Sequence, residues 1–331
     1  MKKVLITGGA GYVGTLLSEQ LANKGYQVVV YDMLYFGCHI AQHANISIVE
    51  ADIRDTKTFA EACQDVGTVL HLACISNDPS FELDEEISQS INYDCFEPLV
   101  IAAKNAGVKQ FVYASSSSVY GVSAQKNVTE EHPLVPLTLY NKFKGMCEPL
   151  LFKHQSEDFV CTTIRPATIC GYSSRMRFDL SVNILTNHAV NNNKITVFGG
   201  DQLRPNLHVQ DMCDLYELLL TVPKEKIAGQ IFNVGYQNQS ILELASIVKK
   251  IVQEEFPEKG EIEIVQTPSD DNRSYHINSD KIKNIIGFSA GYTIEDSVRG
   301  LCKAFKENKF TDPLNNLEYF NVRTLKQNKA A

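Results

Sequence analysis

The chain has 331 residues, of which 44% are hydrophobic and 21% charged, and its formal net charge is −8 at pH 7. This length exceeds that of a usual single core, so one large domain or two closely joined domains are expected. The acidic balance argues against a surface that binds nucleic acid. Because no apolar run approaches the roughly 20 residues that span a bilayer, and no signal-peptide pattern is present, we expect a cytoplasmic protein without a membrane partner.

Nine cysteines are scattered singly along the chain, and no CxxC pair occurs. The spacings typical of zinc sites and redox motifs are therefore absent, and we predict no metal site. Buried free thiols in a reducing compartment are the expected state of these residues.

The first half of the chain alternates short β-branched runs with segments of helical length. The predicted strands are 4–7, 27–32, 46–52, 68–73, 110–116 and 161–166. The predicted helices between them are 12–24, 56–64, 84–106 and 137–156. Apolar strands that alternate with helices predict an α/β fold, a doubly wound parallel (Rossmann) sheet covered on both faces.

The pattern becomes mixed after Gly171, and it predicts a smaller α/β domain for a substrate. Its predicted elements are helices at 179–191, 211–221, 241–255 and near 278–308, and strands at 194–200, 206–211, 230–235 and 261–266. We expect a cofactor domain over 1–170 and mainly a substrate domain over 171–331, with segments near 207–236 returning to the first. The last fifteen or so residues are polar and are expected to be loosely held.

Three glycines, Gly8, Gly11 and Gly14, follow the first strand and open the first helix. In such a turn they permit the tight bend, the approach of a diphosphate to the backbone, and close packing of helix on strand. The diphosphate would lie at the positive end of the helix dipole. Asp32 ends the second strand, where a carboxylate can bind the adenosine ribose and repels a 2′-phosphate. The pattern therefore predicts NAD rather than NADP.

Tyr140 and Lys144, in the stretch YNKFK, lie four residues apart and would share one face of a helix. A nearby ammonium and a positive nicotinamide ring would lower the pKa of the tyrosine and make it a base for a substrate hydroxyl. The strand just upstream ends in four successive serines, 115–118, and would deliver one of these hydroxyls to the same crevice. Chemistry alone does not choose among the four.

These motifs, with ADI at 51–53, HLAC at 71–74 and SSSSVYG at 115–121, resemble the extended short-chain dehydrogenase/reductases. The similar proteins are nucleotide-sugar epimerases and dehydratases, including UDP-glucose 4-epimerases. The resemblance implies that Ser116 completes a catalytic set with Tyr140 and Lys144, and that these last two residues also contact the cofactor. The further positions that it implies for cofactor binding are Tyr12, Val13, Asp52, Ile53, Leu72, Ala73, Cys74, Asn92 and Pro166.

The same resemblance extends to the second half of the chain and implies a nucleotide-diphosphate sugar as substrate. Arg204 and Arg273 correspond to arginines expected on its diphosphate, a pairing that suits a planar guanidinium. The other positions where substrate contacts are expected are Ser76, Asn77, Ser117, Thr168, Arg175 and Arg177. The family commonly forms homodimers, and we expect one here.

The two residues after Ser116 bear on the reaction. The 4,6-dehydratases of the family carry an acid pair there, and the decarboxylases usually carry a glutamate, whereas this chain has Ser117 and Ser118. Epimerisation at C4 needs only the catalytic set and NAD, with hydride removed from the sugar and returned to its other face. We therefore favour a nucleotide-sugar 4-epimerase of carbohydrate biosynthesis. A net 4-dehydrogenase or ketoreductase is the alternative, and a dehydratase or decarboxylase is less favoured.

Overall fold

The computed structural model describes residues 2–123, 125, 127–269, 274 and 276–330, without the side chains of 328–330. The strands are β1 (Lys3–Thr7), β2 (Gln27–Asp32), β3 (Ile46–Glu50), β4 (Thr68–His71), β5 (Gln110–Ala114), β6 (Val160–Pro166), β7 (Thr168–Cys170), β8 (Lys194–Phe198), β9 (Leu203–His208), β10 (Gln230–Val234), β11 (Gln237–Ser240) and β12 (Glu263–Thr267). The helices are α1 (Tyr12–Asn23), α2 (Thr56–Ala62), α3 (Asp78–Phe81), α4 (Glu85–Gln89), α5 (Phe96–Asn105), α6 (Leu139–Phe152), α7 (Ser181–Asn192), α8 (Val209–Leu219), α9 (Lys224–Ile227), α10 (Ile241–Glu255), α11 (Asp280–Ile286), α12 (Ile294–Lys306) and α13 (Asn321–Ala330).

The main sheet of the described chain has seven strands in the order β10-β6-β5-β4-β1-β2-β3, and all its pairs are parallel. The predicted doubly wound sheet is therefore confirmed. The strand order reverses beside β1, because the chain passes from β3 at one edge to β4 at the other side of β1. Ligands of such sheets bind outside the carboxyl ends of the strands at this switch point.

The central strands β1, β2 and β4 are largely apolar and buried, whereas the edge strand β3 is partly exposed. In β1, Val4 and Ile6 contribute to one core cluster and Leu5 to the cluster on the opposite face. This alternation is what a strand with two covered faces requires. No helix of the described residues combines the length and the apolarity that a membrane span needs.

The second half of the chain adds two smaller sheets, β11-β9-β7 and β12-β8. Helices α7, α10 and α12 pack against one another here around a third core cluster that includes Leu185, Val248 and Val298. Strand β10 instead returns to the main sheet beside β6. The exact division into a cofactor domain and a substrate domain stays a prediction.

Two predicted helices are interrupted. The segment 84–106 contains α4, a π-helical turn at Ser90–Asp94, and α5. The widened turn leaves Asn92 buried, so that its side chain points towards the loop after β4 instead of continuing a regular helix surface. The segment 278–308 divides into α11 and α12 because Gly287, with φ of +77°, ends the first helix in the left-handed conformation.

The expectation of a loosely held C-terminus is wrong for residues 317–324. Tyr319 and Phe320 are buried in an aromatic cluster with Phe178, and the backbone N–H of Phe178 donates to the carbonyl of Tyr319 at 2.9 Å. Asn321 and Thr324 in α13 are also buried. The tail packs against the rest of the protein although most of its residues are polar, because burying the rings of Tyr319 and Phe320 stabilises this contact.

Candidate active site

A cleft with a cavity volume of about 420 Å³ opens at the carboxyl ends of β1, β2, β4 and β5. The predicted residues that line it are Gly8, Gly11, Tyr12, Val13, Gly14, Asp32, Asp52, Ile53, Leu72, Ala73, Cys74, Ser76, Asn77, Ser116, Ser117, Tyr140, Lys144, Pro166, Thr168, Arg175, Arg177 and Arg204. The fold thus brings the predicted cofactor, catalytic and substrate positions into one cleft, and their individual roles stay predictions. Arg273 lies outside the described residues.

Asn92 is not among the residues that line the cleft, and its predicted contact with the dinucleotide stays a prediction. Its side chain accepts the backbone N–H of Ile75 at 2.8 Å and donates to the carbonyl of the same residue at 2.9 Å. Asn92 therefore holds the loop after β4 from behind, and that loop carries the lining residues Ser76 and Asn77.

The glycine turn has the geometry that a diphosphate needs. Gly8 has φ of +69°, and a Cβ on Gly14 would lie 2.2 Å from the carbonyl oxygen of Gly8, so neither position accepts a side chain. Gly11 begins α1 without a capping side chain, and the first turn contains no acidic residue. The N–H groups of that turn, at the positive end of the helix dipole, suit the anionic part of NAD.

Asp32 lies at the end of β2, facing the glycine turn. Its carboxylate accepts the backbone N–H of Ala10 at 3.0 Å and that of Leu34 at 2.9 Å. Burial raises the pKa of Asp32, and these two N–H groups oppose the rise. The side chain thus joins the glycine turn to the loop after β2, in the position predicted for contact with a ribose.

Helix α6 carries Tyr140 and Lys144 on the face that meets the cleft. Thr138 begins this helix, and its hydroxyl accepts the backbone N–H of Asn141. Lys144 is 3% exposed, donates to the carbonyl of Ala114 at 2.7 Å, and has its Nζ 6.0 Å from the centre of the Tyr140 ring. The pair therefore lies beside the carboxyl end of β5, as predicted.

The pKa of Tyr140 in the protein itself is raised well above its ordinary value, contrary to the lowering expected from a neighbouring lysine. Burial is the largest cause, and the charges of Cys74 and Asp78 add to it. Arg177 acts in the opposite direction and lowers this pKa. Burial outweighs the cations of the chain, so a catalytic tyrosine here would need the positive nicotinamide ring as well.

Ser116 is connected to the catalytic helix through a chain of hydroxyls. Its Oγ lies 2.6 Å from the Oγ of Ser118 and accepts the backbone N–H of Ser118 at 3.1 Å. The hydroxyl of Ser118 donates in turn to the side-chain oxygen of Asn141, the residue after Tyr140. In the contact between the two serines either hydroxyl can be the donor. This network sets Ser116 relative to Tyr140.

A buried ion pair fixes the position of helix α6 one turn beyond Lys144. The Glu148 carboxylate accepts from the Nε of Arg165 at 2.9 Å and from its second guanidinium nitrogen at 2.6 Å. It also accepts the hydroxyl of Ser115 at 2.7 Å. Burial by itself would lower the pKa of Arg165, but the bonds to Glu148 raise it overall. The pair thereby ties α6 to β6 and to the residue before Ser116.

A second polar network borders the cleft around Ser76 and Asn77. Arg177 forms a buried pair with Asp179, with nitrogen–oxygen distances of 2.9 and 3.0 Å, and donates to the hydroxyl of Ser76 at 3.2 Å. Asn77 donates to the same carboxylate at 3.3 Å. Asn321 donates to Ser76 at 2.9 Å and was missed from the sequence, because nothing local distinguishes it within a polar tail.

The architecture and the cleft define a dinucleotide-binding α/β protein. A family model described as the NAD dependent epimerase/dehydratase family matches residues 4–235, and the chain belongs to this family. This membership confirms the predicted resemblance and identifies NAD as the cofactor of the family. The donors of the glycine turn and the Asp32 carboxylate fit that cofactor.

The chain is similar to members that catalyse different reactions. It is 29% identical over 276 residues to a UDP-glucose 4-epimerase from Lactobacillus helveticus, covering 75% of this chain and 82% of the relative. It is 24% identical over 321 residues to UDP-glucuronic acid decarboxylase 1 from Xenopus tropicalis, covering 92% and 72%.

Among solved structures, DesIV, a dTDP-glucose 4,6-dehydratase from Streptomyces venezuelae with NAD and TYD bound, matches the fold with a TM-score of 0.81. That match has 21% identity and covers 93% of this chain and 98% of the other.

Proposed function

We propose that this chain is an NAD-dependent nucleotide-sugar 4-epimerase. The observation that carries the proposal is the cleft in which Ser116, Tyr140 and Lys144 border the glycine turn while positions 117 and 118 carry hydroxyls. This set is sufficient for reversible oxidation of a secondary hydroxyl. It lacks the acid pair that dehydration would use at those two positions.

In the proposed reaction Tyr140 removes the proton of the C4 hydroxyl, and Ser116 forms a hydrogen bond with the same oxygen. Bound NAD would supply the acceptor of the hydride from C4 and its source for the return to the other face. Lys144 contributes a positive charge 6.0 Å from the Tyr140 ring centre that favours the phenolate. After the keto sugar has turned, Tyr140 gives the proton back to the C4 oxygen.

The substrate class is inferred from the cations of the cleft. Arg204, on β9, lines the cleft on the side of the smaller sheets and suits the diphosphate of a nucleotide sugar. Arg177, held by Asp179, lies beside Ser76 on the catalytic side and suits the sugar hydroxyls. Thr168 and Ser117 would add hydroxyl contacts.

A net 4-dehydrogenase or ketoreductase uses the same catalytic set and is the alternative. A dehydratase or decarboxylase is less favoured because Ser117 and Ser118 occupy the positions where those enzymes carry carboxylates. The carboxylate whose charge raises the pKa of Tyr140 belongs to Asp78, which begins the short helix α3. The hydroxyl of Thr138 donates to Asp78 at 2.6 Å and holds its carboxylate against the start of α6. The similarity to the epimerase of Lactobacillus helveticus supports the epimerase.

The dinucleotide that the purified protein retains tests this proposal. An epimerase regenerates NAD in every turnover, so denaturation is expected to release NAD or NADH in nearly stoichiometric amount, identified by mass spectrometry and absorbance. The same protein, reloaded with NAD and passed through gel filtration, serves as the control. An empty site that binds added NAD only weakly would favour the net dehydrogenase, and release of NADP would contradict the role given to Asp32.

A further inference from the structure

Arg175 is a buried cation in the cleft that forms no salt bridge with a carboxylate of the described residues. Its side chain is 2% exposed, and its Nε, also buried, has no hydrogen-bond partner there. Its other nitrogens donate to neutral oxygens, to the side chain of Asn321 at 2.7 Å and to the carbonyl of Met176 at 3.4 Å. In the part of the chain that the structure describes, no carboxylate forms a salt bridge with it.

The neighbouring arginine differs in this respect. Arg177 is neutralised by Asp179 through two short bonds, so its charge is balanced within the protein. For Arg175, burial and the charge of Arg177 lower the pKa to about 9. The charges of Asp179, Asp32 and Glu318 oppose this lowering only in part. A buried guanidinium without a counter-charge in direct contact is costly unless an anion is bound against it. An anion from a ligand is therefore expected at Arg175.

The position of Arg175 indicates which ligand would supply this anion. Two hydrogen bonds hold the segment before it on the start of α1: the hydroxyl of Tyr12 donates to the carbonyl of Gly171 at 2.6 Å, and Ser173 donates to the carbonyl of Tyr12 at 2.7 Å. The Arg175 guanidinium lies 4.1 Å from the centre of the Phe36 ring, in the loop after β2. It thus lines the cleft beside the loop that begins at Asp32, on a segment that is held against the start of α1.

The anionic part of NAD is its diphosphate, and the glycine turn already offers it backbone N–H groups at one side. We propose that Arg175 lies on the other side and binds the same diphosphate, so that residues 171–177, supported by Asn321, cover the cofactor. A planar guanidinium can donate two parallel hydrogen bonds to a phosphate group. This inference goes beyond the proposed function, because it holds for an epimerase and for a dehydrogenase alike.

The test replaces Arg175 with methionine, which keeps much of the length of the side chain and removes its charge. Titrations with NADH, followed by its fluorescence in a chain without tryptophan, are expected to show binding about 10- to 100-fold weaker than in the wild type. Calorimetry with ADP-ribose should give the same loss, and the affinity for UDP should change less than about threefold. Arg175→Lys should recover part of the loss.

Two further readouts separate this role from a structural one. The melting temperature of cofactor-free Arg175→Met should equal or exceed that of the wild type, since an unpaired buried charge is removed. Raising the NaCl concentration should weaken NADH binding less in the variant than in the wild type. Arg299→Ala, which removes an exposed arginine paired with Glu254 and Glu255, is the matched control and should bind NADH normally.

NADH affinity of Arg175→Met within about threefold of the wild type would overturn the proposal. A loss confined to UDP would assign the arginine to the substrate, and a loss confined to NADPH would assign it to a 2′-phosphate. Either result also overturns it. None of these outcomes bears on which sugar reaction the chain catalyses.

Discussion

Tyr140→Phe is expected to lower kcat for sugar oxidation by about 100- to 10,000-fold, the usual contribution of a general base. The phenyl ring keeps the packing against Phe81, whose ring centre lies 6.4 Å away, so the fold should be preserved. NADH affinity should stay within a few-fold of the wild type because the hydroxyl is not part of the glycine turn. Steady-state kinetics and NADH titration measure the two quantities.

The dependence of kcat/KM on pH tests the same role of Tyr140 as the base. Burial, Cys74 and Asp78 raise the pKa of Tyr140, and a base acts only when deprotonated. Wild-type kcat/KM is therefore expected to fall as the pH decreases through the pKa of Tyr140 in the loaded enzyme, and this limb should vanish in Tyr140→Phe. Tyr93→Phe, in a ring stacked on Phe143, is the matched control. Activity of Tyr140→Phe within about tenfold of the wild type would assign the base to another residue.

Arg165→Met is expected to lower the free energy of unfolding by about 3–5 kcal/mol, because it leaves the Glu148 carboxylate buried without its cation. Both side chains are nearly inaccessible, with 4% and 3% exposure, so solvent does not screen the loss. Urea denaturation of the cofactor-free protein measures the change. Catalysis should weaken as well, since the pair anchors the helix of Tyr140.

The double variant Glu148→Leu with Arg165→Met separates charge from packing. With both ions replaced by apolar groups, more than half of the lost stability should return, because no uncompensated charge stays buried. A single-variant loss below about 1 kcal/mol would mean that the pair is not a determinant of stability.

The local sequence pattern was sufficient to predict several strands and helices. β2 occupies the predicted 27–32, and α10 the predicted 241–255, because continuous apolar runs and a capping box at Ser240 and Glu243 act locally. The spacing of Tyr140 and Lys144 likewise predicted a shared helix face. These features depend on residues that are close in sequence, so they can be predicted from the sequence alone.

Other features depend on contacts between distant segments. Asn321 reaches Ser76 across 245 positions of sequence, and its docking depends on buried aromatic rings that composition does not reveal. Arg175 was predicted among the substrate contacts, and nothing in the sequence indicated that its guanidinium would lie 4.1 Å from the centre of the Phe36 ring in the loop after β2. Asn92 faces Ile75 because a π-helical turn rotates it, which a helical period does not predict.

The most direct test of the proposed 4-epimerase uses nucleotide sugars with deuterium at C4. UDP-, GDP-, dTDP- and CDP-hexoses would be incubated with the purified protein, and NMR would follow the configuration and the label at C4. A 4-epimerase is expected to yield a product inverted at C4 that retains its deuterium, without net formation of NADH. Accumulation of a keto sugar together with NADH that carries the deuterium, or a product that has lost water or carbon dioxide, would contradict the proposed reaction.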